Sequence, residues 1–113
     1  DTMWEVQVAD EVVAIIAGLA ATEVEGVTSM GGNITKDLVS RLGIKNLSKG
    51  VRVSVEEDQV SVYLTLNIAY GYAIPEVSQK VQERVKTAIE NMTGLQVAEV
   101  NVRIAEVDMK ADA

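Results

Sequence analysis

The sequence predicts an α+β fold: a two-layer sandwich in the order helix, strand, strand, helix, strand, with both helices on one face of a three-stranded sheet. Three observations predict it. Residues 60–70 alternate, with Val60, Val62, Leu64, Leu66, Ile68 and Tyr70 on one side, the period of a strand with one dry face. Residues 75–92 change period. Val77, Val81, Val85, Ala88, Ile89 and Met92 share one helical face, opposite Gln79, Glu83, Lys86 and Glu90, the signature of an amphipathic helix. Alternation then recurs on both flanks, in Val51, Val53 and Val55 and in Ala98, Val100, Val102 and Ile104.

Taken in order, Trp4 and the residues up to Val8 have the composition of a short strand. If that strand joins the sheet, the order becomes that of a ferredoxin-like fold. A helix is predicted over 10–24. Asp10 and Glu11 place negative charge in its first turn, where the helix dipole favours it, although Ala9 stands where a Ser, Thr or Asp cap is expected. Val12, Ile15, Ile16, Leu19 and Ala20 form one face and are expected to meet the core. Glu23 falls near the centre of that stripe, in a last turn that is free to fray. The opposite face carries Ala14, Ala17, Gly18 and Ala21, with no charge. A helix apolar all round is covered on both sides. Two covers fit: the middle segment of the same chain, or another subunit, since small residues let backbones approach closely. Ala14, Ala17, Gly18 and Ala21 are therefore the candidate subunit or partner contact.

Gly26 marks the end of that helix. The middle segment follows, flexible at Gly31 and Gly32. Thr35 suits an N-cap, with Ile34 and Val39 spaced as a hydrophobic staple, so a short helix through Leu42 is expected. Between residues 28 and 52, Lys36, Arg41, Lys45, Lys49 and Arg52 face Asp37 alone, a net +4 in a chain of net −7, so that the remainder carries −11. Lys36, Arg41, Lys45 and Lys49 form the candidate basic contact segment; a solvated loop explains them equally well. Glu57 and Asp58 turn the strand of Val51, Val53 and Val55 into the strand beginning at Val60, a hairpin. Pro75 suits the first turn of the second helix, and Gly94 suits its end. That helix supplies the crossover to the third strand, and the tail over 108–113 is expected to be mobile.

At 113 residues and 48% apolar content, the chain is one domain, residues 1–113, with enough length for a core. No cysteine and no histidine are present. Disulfides, thiolate nucleophiles, imidazole bases and histidine ligands are excluded. The net charge of −7 disfavours nucleic acid as a partner. No signal peptide is visible, and the longest apolar run, 12–21, is too short to span a bilayer. Glu56, Glu57 and Asp58 cluster in a turn, where carboxylates are solvated. Gly31, Gly32 and Asn33 precede the short helix without the lysine spacing of a phosphate loop. Tyr70, Gly71 and Tyr72 read as a strand exit. Ser61, Tyr63, Thr65 and Asn67 on the open sheet face lack the aromatics and arginines of an RNA platform. No metal, cofactor or catalytic residue is assigned.

Four strings add to this reading: IAGLAATEVEGV from Ile16, GIKNLSKGVRV from Gly43, the Tyr70–Gly71 pair followed by IPEVSQKVQ from Ile74, and IENMTGLQVAEVNVRI from Ile89. Together, from about residue 6 to 107, they resemble the alkaline-shock, or envelope stress response, family of small Gram-positive bacterial proteins. The resemblance implies a cytoplasmic, non-enzymatic protein of cell-envelope homeostasis. It also implies self-association and a protein partner that can hold the domain peripherally at the membrane. It transfers no functional residue. The reading is therefore an interaction protein or self-assembling scaffold that makes a homo-oligomer, without nucleic acid or a membrane span. The alternative is a ligand-sensing or regulatory subunit for a small anionic metabolite.

Overall fold

The computed structural model describes residues 8–30, 34–35 and 50–109. The sheet is built around one long strand. In chain order the elements are helix α1 (Asp10–Thr22), strands β1 (Val27–Met30), β2 (Ile34–Thr35), β3 (Val51–Glu56) and β4 (Gln59–Ala69), helix α2 (Ile74–Thr93) and strand β5 (Gln96–Asp108). Strand β4 is central because it runs for eleven residues, with burial alternating through Leu66. Val60, Val62, Leu64, Leu66 and Ile68 all point into the core and are fully buried.

One edge of β4 is covered along its length by β5, in parallel from Gln59↔Gln96 to Ala69↔Asp108. The other edge is shared. Strand β3 pairs antiparallel with its first half, Val51↔Leu64 to Glu56↔Gln59, through a two-residue turn at Glu57 and Asp58. Six residues of β3 cannot cover eleven, and β1 takes the rest, pairing Met30 with Leu66 and Ser29 with Asn67. Strand β2 adds antiparallel outside β1, with Ser29↔Thr35 and Met30↔Ile34. The fold is α+β, as the periodicities indicate, but among the described residues the sheet has five strands rather than three. The two additional strands come from the middle segment. They are short, and β1 is buried through Val27, Ser29 and Met30 with no alternation, so period carries no signal there. Thr35 is a strand residue; the helix expected beyond it lies outside the described residues. So do residues 4–7 of the expected N-terminal strand, while Val8 has no regular structure.

Both helices pack on one face of the sheet. Helix α2 begins with Pro75 in its first turn and ends at Gly94, which takes the left-handed conformation at φ 78° that glycine adopts without a Cβ penalty. Thr93 Oγ1 donates to Ile89 O and accepts from Leu95 N–H, so the last turn is also closed by a side chain. Val77, Val81, Val85 and Ile89 are buried. Met92, on the same stripe by period, is 71% exposed, because the buried stripe stops at Ile89. Tyr70 is exposed as well, since β4 ends one residue earlier.

Helix α1 starts at Asp10 without a side-chain cap at Ala9. It ends at Thr22, two residues short of expectation. Thr22 Oγ1 donates back to Leu19 O, and Glu23 takes the C-cap position. Its orientation corrects the sequence reading. Val13, Ala14, Ile16, Ala17, Gly18, Ala20 and Ala21 are buried, whereas Val12 and Leu19 are 46% and 47% exposed. The small-residue face, for which the sequence left the middle segment or another subunit as the cover, is turned into the core. The physical reason is closeness of approach. Helix α1 sits against both α2 and the sheet, so most of its circumference is covered, and small side chains admit neighbours at short interaxial distance. The helix is indeed covered on that face, but by the domain itself.

Candidate functional site

Among the described residues, no group of three or more Asp and Glu side chains is arranged to hold a metal. Glu56, Glu57 and Asp58 are exposed at the β3–β4 turn. What the fold presents instead is surface, in three places.

The first is the outward stripe of α1. Val12 and Leu19 are almost half exposed and Ile15 is half-buried between them. Positions i, i+3 and i+7 lie on one helix face. Glu11 and Glu23, both exposed, bracket the stripe. Glu23 is held by Arg84 of α2 at 3.2 Å, a bridge with both side chains about half exposed. Ala14, Ala17, Gly18 and Ala21, assigned from the sequence to a contact, have no surface with which to make one. The side chains that α1 exposes are Val12 and Leu19 instead. Lys36, Arg41, Lys45 and Lys49 lie outside the described residues.

The second is the turn where β4 leaves the sheet. Tyr70, Tyr72 and Ile74 are all exposed there. Tyr70 N–H donates to Asp108 O, tying the turn to the end of β5, and Ala69 N–H donates to Gly26 O. Gly26, at φ +103°, lies beneath the Tyr72 ring; a Cβ there would come within 2.9 Å of Tyr72 Cδ2 and 3.0 Å of Val77 Cγ2. Only glycine serves both the left-handed backbone and this close approach. Tyr72 O–H donates to Glu25 Oε2 at 3.2 Å. That hydrogen bond, with the carboxylate charge behind it, holds the Tyr72 phenol above its ordinary pKa, because ionising it would cost the bond and set two negative charges together.

The third is the open face of the sheet. Strand pairing sets Arg52 opposite Tyr63, Tyr63 opposite Asn101, and Thr65 opposite Arg103. The sequence reading found no arginines on this face because they lie on two different strands, and only register brings them beside Tyr63. Asn67, on the same face by alternation, is buried: Nδ2 donates to Ser29 Oγ at 2.9 Å, while Oδ1 has no partner. Signal for the arginines was present, since each occupies a polar position of an alternating strand.

Comparison with known proteins agrees with the strings noted above. The uncharacterized protein YqhY of Bacillus subtilis is 37% identical over 111 residues, covering 98% of this chain and 82% of that protein. A stress response regulator gls24 homolog of Streptococcus pyogenes is 30% identical over 102 residues, covering 89% of this chain and 57% of that protein. Among solved structures, a MamM CTD variant superposes with a TM-score of 0.54 at 13% identity, covering 87% of this chain and 95% of the other. At that identity the likeness shows the fold alone. No helix of the described residues is long and apolar enough to cross a membrane. Residues 1–109 match the model of the alkaline-shock protein 23 family, described as having a cell envelope-related function, and the chain belongs to that family.

Proposed function

We propose that this domain is a non-enzymatic interaction module of the envelope stress response, or of cell-envelope homeostasis, that docks a protein partner and a second copy of itself through the outward face of α1. The observation that carries the reading is the stripe Val12, Ile15 and Leu19: three aliphatic side chains on one helix face, two of them almost half exposed. A domain of this size gains nothing in stability from leaving them in water, whereas a docking surface uses them. In this reading the domain works in the cytoplasm, and a membrane-anchored partner brings it to the membrane periphery.

Charge sets the geometry of such assembly. The segment from residue 28 to 52 is net +4 and the remainder −11. Glu23 at one end of the stripe is already paired with Arg84, while Glu11, exposed at the other end, favours a basic counterpart. Lys36, Arg41, Lys45 and Lys49 of a second copy supply one, which makes the contact heterologous and open to rings or chains. Exposed charge pairs are each worth about 0–1 kcal/mol and fade with salt. They set encounter rate and orientation, and the aliphatic stripe supplies affinity.

Sedimentation across protein and salt concentration tests this, with Leu19→Glu as the variant and Lys86→Gln as a charge-changed control on α2. Wild type is expected to assemble, less so at high salt. Leu19→Glu is expected to be monomeric with native circular dichroism and to lose partners captured by wild type. Assembly and capture that both survive Leu19→Glu overturn the assignment to α1.

A further inference from the structure

The open face of the sheet, opposite both helices, carries a groove of about 500 Å3 lined by Gly50, Arg52, Tyr63, Thr65, Asn101 and Arg103 among others. Three strands build it. Arg52 comes from β3, Tyr63 and Thr65 from β4, Asn101 and Arg103 from β5. The two arginines stand on strands two apart, a span of about 10 Å, displaced by one side-chain row. Gly50 occupies the place beside Thr65, whose N–H donates to Gly50 O at 2.9 Å. The row containing Arg103 therefore has no side chain at its β3 end, and the space between the guanidinium groups stays open.

Among the described residues neither arginine has a hydrogen-bond or ion-pair partner. Arg52 and Arg103 are exposed. Among the described residues the recorded ion pair is Arg84–Glu23, on the other side of the molecule. Glu99 and Glu106 lie on β5 with side chains on this same face, opposite Ser61 and Asn67, yet neither pairs with the arginines. A chain of net charge −7 thus keeps two unpaired guanidinium groups on either side of an aromatic ring, beside an amide and a hydroxyl.

We propose that this groove binds the phosphate group of a phosphorylated ligand, with Arg52 and Arg103 gripping it from opposite sides. Each guanidinium presents a planar fork of donors. A carboxylate has two oxygens, which one fork satisfies. A phosphate has enough oxygens to engage two forks at once and accept further bonds from Thr65 Oγ1, the Tyr63 hydroxyl or Asn101 Nδ2. Glu99 and Glu106 border the pair and repel an extended polyanion, so the site suits one compact phosphate group rather than a nucleic-acid backbone. A soluble phosphomonoester and the phosphomonoester headgroup of phosphatidic acid share this chemistry.

The experiment is an NMR titration of the folded domain at constant ionic strength, following the Arg52 and Arg103 Nε–H signals and the Tyr63 and Asn101 amides. Inorganic phosphate and glycerol 3-phosphate are the soluble probes. Vesicles of phosphatidylcholine with and without phosphatidic acid are the lipid probe, read by co-sedimentation. Saturable shifts with phosphate are expected, weakened at least tenfold in Arg52→Gln/Arg103→Gln and unchanged in Lys86→Gln. Arg52→Lys, which keeps the charge and loses the fork, is expected to bind several-fold more weakly. Shifts from the soluble probes alone identify a free phosphorylated ligand. Vesicle binding that requires phosphatidic acid and both arginines, and that inorganic phosphate displaces, identifies a headgroup. Equal shifts with chloride, an undiminished response in the double variant, or no response to either probe overturns the proposal. The site lies on the sheet face away from α1, so its failure leaves the docking reading intact, and the Leu19→Glu result does not bear on it.

Discussion

The two helices were written with different degrees of redundancy. Helix α2 has one apolar stripe and one charged face. Val77, Val81, Val85 and Ile89 go inward because Gln79, Glu83, Lys86 and Glu90 cannot. Helix α1 has no charged face between Glu11 and Glu23, so its pattern admits two orientations. Larger side chains on one side suggest that side for the core. The structure chooses the other, burying Ala17 completely and leaving Leu19 47% exposed. Burying the larger face gains more apolar area residue by residue, yet the small face allows α1 to settle against α2 and the sheet together, so that most of its circumference is covered. The lesson is that polar residues orient a helix by what they forbid. Where nothing is forbidden, fit decides.

The largest expected effect breaks the better determined helix. Val81→Asp places an unpaired carboxylate in the core and should cost at least ~3 kcal/mol, while Glu83→Ala on the solvent face should stay within roughly 0.5. Chemical denaturation of the pair reads this directly; equal midpoints would mean the α2 face is misassigned.

A smaller effect sharpens the orientation of α1. Ala17→Leu forces extra carbon into a fully buried position of the helix and should cost about 1–3 kcal/mol. Leu19→Ala removes a side chain already half in water and should cost about 1 kcal/mol or less in the monomer. Thermal unfolding at low protein concentration separates them. If Leu19→Ala is the more damaging, the helix is turned the other way.

The smallest concerns the contact between the end of α1 and the entry to α2. The Tyr72 phenol is held above its ordinary value, about 10, by its bond to Glu25. Because the folded-state pKa is raised, the stability this contact contributes is fully present below the unfolded value. It is lost as pH rises through the folded one. Ultraviolet titration of phenolate, with Tyr72→Phe to assign the signal, should show Glu25→Gln lowering the Tyr72 pKa. An unmoved titration would remove the Glu25 hydrogen bond from the account.

Legibility followed repetition. Strand β4 alternates in sequence from Gln59 to Ile68 and α2 repeats its stripe from Val77 to Ile89, and both were plain in the sequence. Strands β1 and β2 were not. Four residues, three of them buried without alternation, and two more beyond a pair of glycines contain no period. They become strands because the second half of β4 offers an unpaired edge, which is a tertiary circumstance. The candidate surfaces divide the same way. Helix α1 announced itself by lacking charge, but the residues it exposes are Val12 and Leu19 rather than Ala14, Ala17, Gly18 and Ala21. Arg52 and Arg103 are 51 positions apart in the chain, and nothing short of the β3–β4–β5 register places them about one groove.

By itself, then, the sequence determined the α+β class, the long strand with its hairpin and crossover, the inward face of α2, the want of cysteine and histidine chemistry, and the family. Local periodicity and composition suffice for each, because a buried face must repeat at the period of its element and a residue type that is absent cannot act. The tertiary structure alone decided the five-strand sheet, the rotation of α1 and the meeting of the two arginines. These depend on pairing and fit between segments far apart in the chain, where the energy lies in close approach and hydrogen-bond register, and no stretch of sequence carries either one alone.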